Sequence, residues 1–468
     1  MRSGRLRTMS RMRASGLRGN PALLLCILAG APALAAATTL AAYETSPTLA
    51  LAALAGLALA AAVALRPMLG VYAALLVIPL EPLGVQAGGA AISPAQGLLL
   101  LVAASAAARF LIAGGVRIHP AHVAYACLMG VVLVGAAFAT DAGLVLKIFA
   151  TWSAFGIVSL FVAMGDRREV ERVLVCLALA GGALGAIAAF TSGGQELVAG
   201  GQAATGRAEG SFVHPAVLSS LLVLALPPTF ILMFRGPLPL RALMAVAAGL
   251  NVAGVALSLT RGSILGVMAA LLVLLLWAPF RRVAAALLAG FVLFVAFNPD
   301  ALSSSRELDV IGTRLSTITQ TGPTKDNQRV RIWDGALAMT ADQPFLGVGA
   351  GNFREHSADY APVDADGTGY RHAHNIALTF AAELGLVGLA LLVWLAIAVV
   401  RSAVRTWRRQ DPVVSPLALG LIGALTALFV NGLTDYPPGT DVVMAVILIV
   451  IGAVIGLERA KPPEGATA

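Results

Sequence analysis

The chain has 468 residues, of which 58% are hydrophobic and only 12% are charged, and its mean hydropathy is +0.86. One soluble core cannot bury so much apolar surface, so the composition excludes a soluble globular protein and predicts a polytopic membrane protein. Few aromatic and many small residues favour close-packed helices over a porin-like barrel. The net charge of +8 does not indicate nucleic acid binding, because most basic residues lie in short loops between apolar runs.

Fourteen apolar runs are separated by short polar segments, which predicts an all-α polytopic integral membrane protein with about 12–14 transmembrane helices. The run at 67–80 is short for a span and could be re-entrant or merge with its neighbour. The first run could belong to a cleavable signal peptide, but similar runs follow directly and favour an uncleaved helix. The runs lie near 21–43, 47–65, 67–80, 94–114, 120–139, 143–164, 170–191, 214–234, 239–260, 262–279, 283–298, 376–400, 414–431 and 440–457.

Basic residues are distributed unevenly between the two sides of this predicted bundle. With a cytoplasmic N-terminus, 22 of the 32 Lys and Arg residues fall on the inner side, so the positive-inside rule predicts that both termini are cytoplasmic. The rule does not explain the ten others, which lie on the outer side or at the outer end of a span. These are Lys147, Arg207, Arg261, Arg306, Arg314, Lys325, Arg329, Arg331, Arg354 and Arg371.

The segment 299–373 is the one polar stretch long enough to form a structure outside the bilayer. It divides the chain into N-terminal transmembrane helices (1–298), a periplasmic loop and C-terminal helices with a short cytoplasmic tail (374–468). Residues 331–339 predict a helix and the glycines of 347–353 predict a turn. A loop of 75 residues is more plausibly a lid on the bundle than a free domain, and we expect it to move when substrates enter.

Two histidines stand where this loop meets the next apolar run, in Tyr370-Arg-His372-Ala-His374-Asn375. Asn375 is a favourable N-cap, so we expect His374 at the positive end of a helix dipole. That field disfavours the imidazolium ion and leaves a neutral ring that can accept a proton. His374 is therefore the candidate general base, unless it only anchors the helix. His372 shares its face only in extended backbone and is the weaker candidate.

Two arginines accompany this base on the predicted outer side. Arg261 lies in an apolar stretch, 239–279, that as one helix would measure about 60 Å, twice the hydrocarbon thickness. The chain must therefore break near Arg261, which is either a surface anchor or a cation facing a polar cavity. Arg207 lies in the Gly-rich loop 200–210, which lacks the Lys-Ser/Thr ending of a P-loop and could equally be solvated.

Two planar cations and a base at one boundary suit glycosyl transfer from a lipid diphosphate. Arginines bind phosphate oxygens bidentately and would stabilise the leaving group, while histidine takes the proton of the attacking hydroxyl. A metal-dependent alternative rests on Asp364-Ala-Asp366, but a lone acidic pair in such a loop is more typical of solvated carboxylates, so we expect no metal and no cofactor. Glu383, deeper in the helix after His374, could pair with a basic residue such as Lys147.

Four motifs together resemble the superfamily of bacterial O-antigen ligases and O-antigen polymerases. They occur in the family's order over about residues 200–400, and their combination is more specific than any one of them. They are Arg207-Ala-Glu-Gly-Ser-Phe-Val-His214-Pro215, Ser258-Leu-Thr-Arg261-Gly262, Arg331-Ile-Trp333 continuing to Pro344-Phe-Leu-Gly347-Val-Gly349, and His372-Ala-His374-Asn375 continuing to Glu383-Leu-Gly385-Leu-Val-Gly388. Family members often have Asn where this chain has His214, and the commonest members have fewer spans before the loop.

The resemblance implies a GT-C-like glycosyltransferase that transfers a glycan from undecaprenyl diphosphate with inversion and without a metal. His374 would be the base, and Arg207 and Arg261 would hold the diphosphate. Supporting roles would fall to His372, Asn375, Arg331, Trp333, Glu383 and His214.

Within the superfamily the pattern favours an O-antigen ligase, acting on the periplasmic face of the bacterial inner membrane. The expected partners are an undecaprenyl-diphosphate-linked O-antigen donor, a lipid A-core acceptor and membrane lipids, with no nucleic acid. O-antigen polymerase and protein O-oligosaccharyltransferase remain alternatives, the latter disfavoured because no further domain follows the last helix. A secondary transporter or lipid flippase is the alternative from another class, although such proteins often have two similar halves. A purely structural membrane scaffold is a third possibility.

Overall fold

The computed structural model describes residues 56, 58–83, 85–87, 90–113, 116–191, 211–212, 214–297, 326–363 and 367–460. The described chain is helical apart from one antiparallel hairpin, β1 (Val85–Ala87) and β2 (Ala90–Ile92), which the sequence did not predict. The predicted all-α polytopic fold is confirmed. The helices are α1 (Pro67–Leu76), α2 (Pro94–Ala113), α3 (Pro120–Gly135), α4 (Ala142–Val162), α5 (Arg167–Thr191), α6 (Pro215–Leu232), α7 (Leu238–Ser258), α8 (Arg261–Leu274), α9 (Ala278–Phe297), α10 (Asp326–Asp342), α11 (Phe353–Tyr360), α12 (Ile376–Trp407), α13 (Val414–Gly432) and α14 (Asp441–Arg459).

Eight of the described helices are long and apolar enough to cross a membrane, and a ninth span results if α8 and the start of α9 count together. These two helices meet at 119°, as in a broken span or a re-entrant loop, whereas the sequence predicted two separate spans. α1 and α3 are shorter apolar helices. Of the 12–14 predicted spans, the runs at 21–43 and 47–65 lie wholly or mainly outside the described residues.

The bundle packs through small residues, as expected where the surrounding lipid is as apolar as the helix faces. α14 lies at its centre, with every residue from Val442 to Leu457 buried. Gly266 allows α8 to approach α13 closely, because a Cβ there would lie 2.6 Å from the Ala427 carbonyl oxygen. Glu458, at the end of α14, lies 3.2 Å from His119 Nε2 and thereby links α14 to the start of α3.

The predicted break near Arg261 is confirmed. α7 ends at Ser258, Leu259 adopts left-handed backbone with φ 50°, and α8 begins at Arg261. Left-handed backbone is unfavourable for a residue with a Cβ atom, so the surrounding structure holds the chain in this turn. Gly262 has no room for a Cβ because the Thr434 hydroxyl occupies that space. The start of α8 therefore lies against the end of α13.

The described part of the polar segment, 326–363 and 367–373, forms a lid of two helices on α12. α10 includes the helix predicted at 331–339, and a turn follows over 347–353 as predicted. A separate apolar cluster joins the lid to α12, built from Ile332, Ala336, Met339, Val348, Phe353, Ala373 and Ala382. The predicted boundary at 299 lies outside the described residues.

α12 is broken at Gly385, where φ is 67° and ψ is −173°. The Pro344–Gly349 segment of the lid docks on this break. Val348 N–H donates to the Ala382 carbonyl at 3.0 Å, Gly349 N–H to the Glu383 carbonyl at 2.8 Å, and Leu386 N–H to the Pro344 carbonyl at 2.7 Å. The backbone groups that the break frees are thus paired with the lid rather than left unsatisfied.

The break also determines where the N-terminus of α12 lies relative to the end of α13. α12 and α13 touch at both ends, through the Ser415 hydroxyl and the Thr406 carbonyl at one and the Asn375 amide and the Leu433 carbonyl at the other. At about 1.5 Å per residue, a straight helix from Asn375 to Thr406 would measure about 46 Å, but the stretch from Ser415 to Leu433 only about 27 Å. The bend at Gly385 removes this mismatch.

We expect Gly385→Ala to lower the stability of the solubilised protein by at least about 1–3 kcal/mol. The backbone conformation of Gly385 is one that L-residues rarely adopt, and a Cβ would collide with the Phe345 carbonyl. Thermal unfolding in detergent would measure the change. Gly249→Ala in α7 is the matched control, because nothing lies within 4 Å of its Cβ position. Equal stability of the two variants would contradict the assigned role of the break.

Candidate active site

The segment from Tyr370 to Asn375 is held from both sides. The Trp333 indole N–H donates to the Ala373 carbonyl at 2.9 Å, and Gln328 donates to the Tyr370 hydroxyl, so α10 fixes the segment from the lid. From α12, the Thr379 hydroxyl accepts from Ala373 N–H at 3.1 Å. The two histidines within the segment therefore occupy fixed positions.

Asn375 is the N-cap of α12, as the sequence predicted. Its side-chain oxygen accepts from the N–H groups of Ala377 and Leu378 at 3.0 and 3.1 Å. Its amide group donates to the Leu433 carbonyl at 3.1 Å. The same side chain thus starts the helix and ties it to the connection between α13 and α14.

His374 faces Asp435, a carboxylate in that connection. His374 Nδ1 lies 3.7 Å from Asp435 Oδ1, and their side chains are 29% and 14% exposed. Burial acts to raise the pKa of Asp435. Three neighbours lower this pKa by more than burial raises it: His374, His372 and the Tyr436 N–H, which donates to Oδ1 at 2.8 Å. The pKa of this carboxyl therefore lies below its usual range, and an ionised carboxylate stands beside the candidate base.

The two histidine rings meet, with their centroids 4.4 Å apart, although His374 has left-handed backbone with φ 52° rather than extended backbone. His372 Nδ1 accepts from His374 N–H at 3.2 Å. Burial, together with nearby His374, lowers the pKa of His372 to about 3. His372 is therefore neutral near pH 7, with its ring proton on Nε2.

Arg261 lies at the edge of this site. Its neighbour Gly262 packs on Thr434, the residue before Asp435. The next residue, Ser263, donates from its hydroxyl to the Asn431 side-chain oxygen at 3.1 Å. The structure thus brings the start of α8 beside the His374–Asp435 pair. The other predicted arginine, Arg207, lies outside the described residues.

His214 has a local structural role that accounts for its residue type. Its Nδ1 accepts from Ala216 N–H at 3.1 Å and thereby caps α6. Asn, which the resembling family often has at this position, is also a good N-cap. His214 also lies within electrostatic reach of His372. The two histidines therefore belong to one neighbourhood.

The suggested pairing of Glu383 with Lys147 is not what the structure contains. The Glu383 side chain is buried and its carboxylate accepts from the N–H groups of Gly351 and Phe353 in the lid. Buried polar groups need hydrogen-bond partners, and the two lid N–H groups supply them for this carboxyl group. Lys147 is exposed and lies within electrostatic reach of Asp441 instead. Arg331, on α10, is exposed.

Three side chains of the site have the composition of a possible cation site. The potential ligand atoms of His372, His374 and Asp435 all lie within 4.8 Å of one another. Two imidazoles and a carboxylate are ligands that Zn²⁺ accepts. His372 Nδ1 accepts a hydrogen bond, so the ring proton lies on Nε2. A protonated Nε2 cannot bind a metal ion, which opposes ligation by His372. The alternative acidic pair, Asp364 and Asp366, lies outside the described residues.

Asp435 was not among the residues predicted from the sequence. It stands in Thr434-Asp-Tyr-Pro-Pro438, between two apolar runs. The positive-inside rule that singled out Arg261 concerns basic residues only, so it gave no signal for an acidic residue on the outer side. Only the fold pairs it with His374.

Comparison with known proteins gives one family. Residues 244–393 match the family described as O-Antigen ligase. The match covers about a third of the chain and includes Arg261, the described lid, His374 and the break of α12 at Gly385. It ends before Asp435. No curated protein sequence matches the chain.

We expect Glu383→Gln to weaken the attachment of the lid turn, residues 347–353, to α12. The two backbone N–H groups of the turn need acceptors, and a glutamine amide replaces one acceptor oxygen with an N–H donor group. Hydrogen–deuterium exchange should show faster exchange for residues 347–353. Glu355→Gln, on an exposed side chain of α11, should leave this exchange unchanged. Unaltered exchange in both variants would mean that Glu383 does not hold the turn.

Proposed function

Because residues 244–393 belong to the O-antigen ligase family, we propose that this chain is an O-antigen ligase. The family consists of membrane glycosyltransferases of the O-antigen ligase and polymerase type, which use lipid-linked glycans. The proposed reaction transfers O-antigen polysaccharide from undecaprenyl diphosphate to a sugar hydroxyl of lipid A-core. The observation that carries the proposal is the pairing of His374, which lies within the matched residues, with Asp435, close to the start of α8 where Arg261 stands.

The pair suits general base catalysis. With its Nδ1 proton directed at Asp435, His374 would present the Nε2 lone pair to the attacking hydroxyl. The 3.7 Å separation is longer than a hydrogen bond, and such contacts commonly tighten when substrate binds. Asp435 would hold the ring in this tautomer and stabilise the imidazolium ion that forms. His374 is the catalytic residue of this proposal and Asp435 its positioning residue.

In the transfer step, the acceptor oxygen forms a bond to the anomeric carbon while the bond from that carbon to the diphosphate oxygen breaks. The hydroxyl proton passes to His374, and the electron pair leaves with the undecaprenyl diphosphate. Attack from the face opposite the leaving group inverts the configuration at that carbon. No metal or cofactor enters this step.

Charge on the leaving diphosphate requires cations. Arg261 would supply a guanidinium that binds phosphate oxygens in pairs, and the N-terminus of α8 adds the positive end of a helix dipole. Arg207 would be the second cation. Such groups act most strongly when they are already in position before charge develops, and packing of Gly262 on Thr434 holds the start of α8 in place.

The proposal places this chemistry on the periplasmic face of the inner membrane. The end of the bundle opposite the site carries several basic residues, as expected for a cytoplasmic face. These are Arg401, Arg405, Arg408, Arg409 and Arg459. The lid would then cover the site from the periplasmic side.

The deciding experiment is complementation of a strain that lacks this protein, read from its lipopolysaccharide gel profile. We expect the wild type to restore O-antigen bands and His374→Ala to reduce transfer by about 10²–10⁴-fold, because proton transfer to a positioned base contributes about that much. Asp435→Asn should give a smaller loss. His356→Ala, a lid histidine bonded to Thr140, is the control and should complement.

Other profiles would point elsewhere. Accumulation of full-length polymer on its lipid carrier in the strain that lacks this protein would indicate that the missing protein is a ligase. Lipid A-core with a single repeat would indicate a polymerase, and loss of glycan from protein only would indicate a protein O-oligosaccharyltransferase. Transport of lipid-linked glycan without a new glycosidic bond would indicate a flippase. An unchanged profile for both His374→Ala and Asp435→Asn would contradict the proposed mechanism.

We expect transfer by the purified protein to be insensitive to EDTA, because the proposed step needs only a base and cations from side chains. The assay would follow transfer from a lipid-linked donor to lipid A-core before and after chelation. Activity that EDTA abolishes and Zn²⁺ or Mn²⁺ restores would instead assign a metal to His372, His374 and Asp435, or to the acidic pair in the loop.

A further inference from the structure

Phe345 is the most exposed large apolar side chain of the described lid, at 74%. It belongs to the Pro344–Gly349 segment that docks on the break of α12. Leu386 N–H donates to the Pro344 carbonyl at 2.7 Å, and the Phe345 carbonyl fills the space beside Gly385 where a Cβ would lie. The position of Phe345 along α12 is therefore fixed at the level of Leu386.

Leu386 begins an exposed apolar stripe along α12. Leu386, Val393, Ile397 and Val400 are all exposed, and their spacing of three, four and seven residues puts them on one face of the helix. In a helix that is apolar enough to span a membrane, such a face is the one that contacts lipid. The stripe thus marks the part of α12 that lies in the hydrocarbon.

The length of this part locates the membrane boundary. The stripe from Leu386 to Val400 would extend about 22 Å as a helix, less than the hydrocarbon thickness of about 30 Å, and the exposed Arg401 follows it directly. Because Arg401 marks the inner boundary, Leu386 lies no farther out than the outer boundary of the hydrocarbon, and Phe345 lies beside it. An aromatic side chain exposed at this level meets lipid rather than bulk water.

We propose that the Phe345 turn is a membrane anchor of the lid, inserted among lipid acyl chains at the end of the bundle that carries the site. α10 supports this arrangement. Leu337 and Val330, two turns apart on one face, are 53% and 50% exposed, and Arg329 and Arg331 flank Val330 where lipid headgroups would lie. The occupant of this surface is bilayer lipid, continuous with the lipid that covers the stripe of α12.

An anchored lid moves differently from a free loop. The turn at Phe345 is bonded to α12 and seated in lipid, so the docked part of the lid stays with the helix that begins at the candidate base. Opening for substrates would then involve other parts of the lid. This inference concerns lipid contact only and does not depend on the proposed function.

Spin-label accessibility in liposomes tests the anchor without any substrate. Cys26, Cys127 and Cys176 are replaced by Ala, and single cysteines for nitroxide labelling are introduced as Phe345→Cys, Leu337→Cys, Val393→Cys and Asp359→Cys in the full chain. Power saturation then compares collision with O₂, which concentrates in hydrocarbon, and with Ni(II)EDDA, which stays in water. Val393 is the lipid-facing control, and Asp359, exposed on α11, is the water-facing control.

We expect the label at position 345 to collide more with O₂ than with Ni(II)EDDA, as at Val393, and the label at Leu337 to lie between the two controls. Preferential collision with Ni(II)EDDA at 345, as at Asp359, would overturn the proposal. Low collision with both reagents would also overturn it, because a protein partner or a second copy of this chain would then cover the turn. Phe345 is exposed, so its replacement removes no core contact.

Discussion

The break in α12 at Gly385 is the constraint on which the arrangement of the site depends. A straight helix would carry its N-terminus about 19 Å beyond the end of α13, too far for Asn375 to reach the Leu433 carbonyl. Bending costs backbone hydrogen bonds, and in a membrane protein those groups need other partners. The Pro344–Gly349 segment supplies them, so the lid and the bend stabilise each other.

The candidate reaction centre is assembled from three separate parts of the chain. The segment before α12 contributes His374, the connection between α13 and α14 contributes Asp435, and the turn before α8 brings Arg261 nearby. Each part is fixed by short-range contacts at a helix end: the Asn375 cap, the Gly262–Thr434 contact and the Ser263–Asn431 hydrogen bond. Helix ends provide directed backbone groups and fixed dipoles, which suits a site that must hold charge.

The lid contributes to the site through two polar contacts, one partly buried and one buried, rather than through an open loop. Trp333 bonds the backbone between the two histidines, and Glu383 bonds the turn that follows α10. Loss of either would leave a polar group of a buried residue, Ala373 or Glu383, without its partner, which is costly. The motifs Arg331-Ile-Trp333 and Pro344-Phe-Leu-Gly347-Val-Gly349 thus have structural explanations. In both, the contacts are made by backbone groups and by Trp333, whereas Arg331 is exposed.

The sequence by itself determined the class of protein, most helix positions, the break at Arg261 and the Asn375 cap. Each follows from composition, from helix length against bilayer thickness or from a local side-chain bond, and none requires knowledge of distant contacts. The break at Gly385 was not predictable in this way, because an apolar run reads as one helix and only the lid shows where it bends. The pairing of His374 with Asp435 and the bonding of Glu383 to the lid turn were decided by tertiary structure. Both join residues whose separation in the chain gives no local signal, and packing of α12 against α13 and of the lid against α12 brings them together.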